Sequence, residues 1–295
     1  MLCTEVVQTG EKAYFCKVKM KNRSFILPLV AAMLLALPLR AQTYAEWVDS
    51  AYACAGHDSL ALAARCLQKA LEADPANKGN AAVLATLGAL QSQMGQMEEA
   101  IESYSLALNY NPLNIPVLLA RAAARLQIGD EERAYVDYSN VLDQDIDNKE
   151  ALLFRAYIAV RKHAYDVARA DYTRLLSLDP ADESAALGLA LLNQKQHRLR
   201  EATEQISELI HRCPDNAEYY LARADVLADR NLPDLALVDC DEAVRLAPQD
   251  AFAHVARAEV YLQLRKKRAA RADLDEAVRL GLRRADLDGL YRRCK

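Results

Sequence analysis

The side chains of this 295-residue chain that could do chemistry rarely stand together. Cysteine comes first. There are seven, and among the later five Cys54 and Cys66 share one stretch while Cys213, Cys240 and Cys294 are scattered. Two thiols can bridge if their backbones approach closely, or can join a metal site. Of the five histidines, His57, His211 and His254 join no cysteine or carboxylate at metal-ligand spacing, and His163 and His197 stand well apart. No phosphate loop, metalloprotease motif or Ser–His–Asp set is present in the sequence. One series remains. Arg121, Arg155, Arg223 and Arg257 are each followed, at one constant interval, by an aspartate: Asp137, Asp171, Asp239 and Asp273. Such pairs suit ion pairing between neighbouring elements, which is a structural role. The expectation is therefore no enzyme, no catalytic residue, no metal and no cofactor.

The elements that carry these residues are helical. The chain is 52% hydrophobic and 26% charged, enough to build a large core. Nine Gly and nine Pro are few, and long runs of Ala, Leu, Arg and Glu favour helix. No convincing run of alternating β-branched residues predicts a strand.

Two segments show how the helices recur. Residues 168–180 read ARADYTRLLSLDP and residues 236–248 read ALVDCDEAVRLAP. Their prolines belong to an evenly spaced series of stops: Pro112, Ile146, Pro180, Pro214, Pro248 and Leu282, with Pro75 before them. With the stop at position 32, seven units begin near 44, 81, 115, 149, 183, 217 and 251. Position 8 is always small: Ala51, Gly88, Ala122, Ala156, Ala190, Ala224 and Ala258. Position 20 is always alanine: Ala63, Ala100, Ala134, Ala168, Ala202, Ala236 and Ala270. Position 24 is bulky or apolar, as in Tyr104, Tyr138 and Tyr172, and position 27 is apolar throughout.

This pattern resembles the tetratricopeptide repeat, with Trp47 at position 4 of the first unit. The resemblance implies an all-α, right-handed superhelical solenoid of about seven helix hairpins. The expected units are 44–80, 81–114, 115–148, 149–182, 183–216, 217–250 and 251–284, with a short cap or tail at 285–295. Small residues at 8 and 20 let two helices approach, and proline at 32 stops the second. One hairpin cannot bury its own apolar face, so neighbours stack. Positions 7 and 23 should lie at similar heights, which predicts Arg–Asp pairs within four hairpins. Pairing between neighbouring hairpins is the alternative. Positions 11 and 23, where Cys54 and Cys66 fall, are expected to be offset by about one turn, which argues against a bridge.

In this family the first helix of each hairpin lines a concave face, through positions 2, 5, 9 and 12. The resemblance thus places Tyr52, Leu119, Leu126, Leu153, Tyr157, Val160, Leu187, Leu191, Asp225 and Glu259 on that face. An apolar and aromatic surface of this kind suits a protein or peptide partner. Lysine is absent from position 5, which excludes the subgroup that grips chaperone carboxylates. His163 and His197 both fall at position 15, the turn between helices.

The first forty residues are of another kind. Lys17, Lys19, Lys21 and Arg23 precede an apolar run from Ser24 to Leu39, followed by Arg40-Ala41-Gln42. This is the layout of a secretory signal peptide cleaved after Ala41. The run is short for a spanning helix and holds Pro28 and Pro38. An uncleaved anchor and a helix of the fold are the alternatives, and retention of the leader would make the protein a cytosolic adaptor. Met20 would open an ordinary signal peptide by itself, so residues 1–19 read as an over-extended start. The compact signal resembles those of Gram-negative bacteria, which makes the periplasm the expected location.

Charge is uneven. Residues 42–250 carry 19 basic and 33 acidic side chains, net −14, whereas 251–295 carry 12 and six, net +6. Arg265, Lys266, Lys267, Arg268, Arg283, Arg284, Arg292 and Arg293 concentrate that positive end. It could meet an acidic partner or make peripheral contact with an anionic membrane surface. An export signal argues against nucleic acid.

Overall fold

The computed structural model describes residues 42–56 and 59–294. The leader at 1–41, with its cleavage point and alternative start, lies outside the described residues. From Tyr44 onward helices follow one another in pairs: α1 (Tyr44–Ala55) and α2 (Leu60–Ala73), α3 (Asn80–Gln93) and α4 (Met97–Tyr110), α5 (Ile115–Gln127) and α6 (Glu131–Leu142), α7 (Lys149–Arg161) and α8 (Tyr165–Leu178). The series continues with α9 (Glu183–Lys195) and α10 (Leu199–Arg212), α11 (Ala217–Asp229) and α12 (Pro233–Leu246), α13 (Ala251–Gln263) and α14 (Lys267–Arg279). A 3-10 turn (Arg284–Leu287) and the short α15 (Asp288–Arg293) close the chain. The described residues contain no strand.

Each hairpin closes where the small residues sit. Ala63, Ala100, Ala122, Ala134, Ala156, Ala168, Ala190, Ala202, Ala236, Ala258 and Ala270 are all wholly buried. Around them the bulkier residues fill the seams: Tyr138, Leu175, Ile206, Leu209 and Leu274 have no exposed surface. Burying one such leucine contributes roughly 2–3 kcal/mol. Gly88 shows why position 8 stays small, since a Cβ there would lie 2.7 Å from the Tyr104 ring.

Local signals set the helix ends. Asn114, Asn148, Asp182, Asn216 and Asp250 each accept a hydrogen bond from a backbone N–H in the first turn of the following helix. All five occupy position 34, a cap that a reading based on the proline stops did not extract. Position 15 turns the chain between the helices of a pair with a left-handed backbone: Gly95, Gly129, His163, His197, Asn231 and Arg265 all have φ between 58° and 79°. The two histidines are thus turn residues.

Beyond the pairs, each second helix packs on the next first helix. First helices of successive hairpins also meet, α3 with α5, α7 with α9, α9 with α11 and α11 with α13. No two second helices approach each other as closely, so the first helices line the inner side of the stack.

Candidate binding groove

Four hairpins carry the same ion pair. Arg121, Arg155, Arg223 and Arg257 each donate from Nε and Nη2 to the two oxygens of Asp137, Asp171, Asp239 and Asp273. The Nη2–Oδ1 distances are 2.7, 2.8, 2.7 and 2.7 Å. The carboxylates are buried and the guanidinium groups are mostly covered. These bonds hold Arg155, Arg223 and Arg257 above the ordinary arginine range, against the opposing effect of burial. The sequence expectation posed pairing within a hairpin against pairing between hairpins; the geometry does both. The remaining nitrogen, Nη1, reaches the preceding hairpin: Arg121 to Ser105 (3.0 Å), Arg223 to Ser207 (3.1 Å) and Arg257 to Asp241 (2.9 Å). Each such fork ties three helices.

The expected offset between positions 11 and 23 requires correction. Arg125 at position 11 donates to Asp137 at 2.6 Å, beside Arg121 at position 7. Positions 7 and 11 lie one turn apart on the same stripe, and the side chain at 23 points between them. In the hairpins without an Arg–Asp pair the 11–23 contact stands alone. Ser103 donates to Gln91 at 2.6 Å, and Asn193 donates to Gln205 at 2.8 Å.

On the inner side, an apolar surface joins the hairpins α7–α8 and α9–α10. Leu153, Phe154, Tyr157, Val160, Leu187 and Leu191 line a groove of about 440 Å³, closed by Tyr172 and Tyr219. Tyr157 is 46% exposed and Leu191 36% exposed. Leu153, Val160 and Leu187 are half-buried and also pack against the core. Five sequence-predicted residues are therefore brought together here. Leu126 lines an adjoining depression that shares Phe154, Tyr157 and Arg161. Leu119 is half-buried against the core and Tyr52 stands exposed on α1, both outside this groove. Asp225 and Glu259 are exposed farther along the inner face.

Residues that the four-position rule did not name complete the site. Phe154 and Gly188 occupy the equivalent position 6 of neighbouring hairpins. Gly188 has no side chain, and the Tyr172 ring occupies that space: a Cβ would lie 2.5 Å from its Cζ. Tyr138 stacks on the buried side of Phe154, with centroids 5.7 Å apart.

Charges surround the groove. Arg161 lies 5.9 Å from the Tyr157 ring and pairs with Glu131 at 2.8 Å. Lys195 and Glu218 stand at the edge. Cys213 donates to Glu183 at 2.9 Å and the Tyr219 hydroxyl also donates to it, which holds the Glu183 carboxyl below its usual range. Burial, reinforced by Glu183, pushes the Tyr219 hydroxyl up to about 12. Toward the C-terminal end, Gln194 donates to Asp225 (2.8 Å) and Asp229 (2.7 Å), which fixes both acids. Surrounding protein raises the Glu259 pKa, opposed by Arg293 and reinforced by Asp225.

The basic end is exposed throughout, from Arg265, Lys266, Lys267 and Arg268 to Arg283, Arg284, Arg292 and Arg293. Arg283 pairs with Asp286 at 2.9 Å, and Arg284 lies 4.4 Å from the Tyr291 ring. Among the described residues no three His, Cys, Asp or Glu side chains gather as a metal site, and no helix is long and apolar enough to cross a membrane.

The profile of the tetratricopeptide repeat matches residues 81–112. No curated protein matches the chain. Among solved structures, a tetratricopeptide repeat protein from Parabacteroides merdae ATCC 43184 is 27% identical, with a TM-score of 0.74 over 86% of this chain and 99% of that one. YrrB, described as a TPR protein with an unusual peptide-binding site, is 18% identical with a TM-score of 0.53, covering 64% of this chain and 96% of that one. MamA from Desulfovibrio magneticus RS-1 is 16% identical with a TM-score of 0.55, covering 58% and 97%. The last two share the fold alone. Repeat pattern, paired helices and these likenesses agree: the chain is a tetratricopeptide repeat protein.

Proposed function

We propose that the protein is a non-enzymatic scaffold of the bacterial cell envelope that holds a segment of a partner protein against the inner face of its repeats. One observation carries this reading: Phe154, Tyr157, Leu187 and Leu191 form a continuous apolar groove. Surface of this kind favours burial against a partner. The matching occupant is a peptide segment with two or three bulky apolar side chains and an acidic residue placed toward Lys195. YrrB, whose fold is shared, is described as having a peptide-binding site, which supports the class of partner. The basic-then-apolar leader supports the location.

The test is affinity capture from an envelope extract, with the parent chain beside a Tyr157→Asp/Leu191→Asp variant. Circular dichroism verifies that the variant keeps its helices. The expected result is a partner retained by the parent and lost by the variant. Equal retention by both would remove function from the groove.

A second reading rests on the exposed cations of the C-terminal end. There the protein docks on an acidic partner or an anionic membrane surface as an assembly factor. Neutralising Arg283, Arg284, Arg292 and Arg293 would then abolish association with anionic vesicles or with that partner.

A further inference from the structure

The contact between positions 11 and 23 recurs with changing chemistry. It is an ion pair in Arg125–Asp137, a hydroxyl–amide bond in Ser103–Gln91 and an amide–amide bond in Asn193–Gln205. Three hairpins lack the Arg–Asp pair between positions 7 and 23: α1–α2, α3–α4 and α9–α10. Two of them carry the hydrogen-bonded 11–23 pairs just named. The third places Cys54 and Cys66 at the same two positions. Both side chains are half-buried and pack against one cluster, formed by Ala51, Ala63, Ala64, Leu67, Val83, Leu87 and Leu90. Both are free thiols here. From this register we infer that Cys54 and Cys66 are a disulfide site, which closes the first described hairpin covalently where the others use polar contacts.

Further features agree. Ala51 and Ala63, at the close-approach positions 8 and 20, are buried in this hairpin as in the rest, as packing of its two helices against each other requires. Burial raises the Cys66 thiol, and Cys54 beside it acts in the same direction. The remaining thiols have other surroundings. Cys213 donates to Glu183, Cys240 is enclosed in the core, and Cys294 packs at the C-terminal end.

The reaction is thiol–disulfide exchange with a small-molecule disulfide such as oxidised glutathione. One cysteine thiolate attacks the reagent, forming a mixed disulfide and releasing one small thiol. The other cysteine, as thiolate, attacks that protein sulfur and releases the second. The protein loses two protons and two electrons, and the reagent takes up both electrons as it becomes two thiols.

The experiment uses the full folded chain, equilibrated with oxidised glutathione, alkylated under denaturing conditions and digested with trypsin without reductant. Trypsin cuts after Arg65, so a bridge holds the short peptide 66–69 to the peptide that contains Cys54. The expected result is that this linked pair is the predominant form of both cysteines and separates on reduction. Recovery of Cys54 and Cys66 mainly as separate alkylated peptides, or as separate mixed disulfides with glutathione, would overturn the assignment. Thermal unfolding adds a second readout. Reductant lowers the midpoint of the bridged parent by several degrees and leaves a Cys54→Ser/Cys66→Ser variant unchanged. A parent equally insensitive to reductant would overturn the covalent closure of the hairpin.

Discussion

The ring of Tyr172, at position 24 of one hairpin, fills the place where a side chain on Gly188 of the next would begin. The separation from a Cβ built on Gly188 to the ring Cζ is 2.5 Å, too short for two carbons. Tyr172 is only 4% exposed, so the ring has little room to swing aside. Gly188→Ala is therefore expected to cost about 1–3 kcal/mol through overpacking. Tyr172→Ala in the same chain should relieve much of that cost. A double-mutant cycle in urea checks this, and strictly additive losses would show that the two residues do not compete for space.

The ion pairs differ sharply in setting. Asp239 is buried against Arg223, whereas Glu242 and Arg245 pair on the surface within one helical turn. Removing one partner of a buried pair strands the other charge. Asp239→Ala is expected to lose about 3–5 kcal/mol, and Glu242→Ala far less, because its surface pair is screened by solvent. Urea midpoints for the two variants decide it; similar losses would contradict the assigned roles.

Alkaline stability should depend on a buried phenol. Burial, with Tyr157 and Asp171 adding to it, pushes the Tyr172 hydroxyl from 10 up to about 12. As pH rises the unfolded chain gives up this proton before the folded one does. The stabilisation is thus intact below about pH 10 and is lost as pH climbs toward 12. A displacement of that size corresponds to about 2–3 kcal/mol. Tyr172→Phe keeps the ring and removes the proton, so the stability difference between parent and variant should change over that window. Urea unfolding from about pH 9 to about pH 11.5 measures it, and a constant difference would refute the assignment.

His197 adopts φ 59° in its turn, a conformation unfavourable to a side chain with a Cβ. Its equivalents Gly95 and Gly129 avoid that cost. His197→Gly should raise stability by about 0.5–1 kcal/mol, read from the urea midpoint. A lower midpoint would mean that the imidazole makes a contribution of its own.

The helical pairs were legible because the chain repeats its own constraints. Small residues at 8 and 20 fit only where two helices touch, and they recur in every unit. The Arg–Asp pairs were legible for the same reason, because one fixed interval between arginine and aspartate recurs in four units. Two things were not. The contact between 11 and 23 carries different residue types in each hairpin, so no repeated letter marks it. The floor of the groove depends on Gly188 and Tyr172, whose relation crosses from one unit to the next and appears only when ring and backbone share one frame.

A final consequence concerns how the stack comes apart. Arg223 joins α11 and α12 to Ser207 on α10, and Arg257 joins α13 and α14 to Asp241 on α12. Opening the last hairpin therefore breaks bonds that belong to the one before it. In a linear array of units, such shared bonds raise the coupling between neighbours relative to the stability of each. The last hairpins would then exchange their amide protons as one cooperative block and not fray singly. The same guanidinium that closes a hairpin also sets the length of chain that unfolds in a single step.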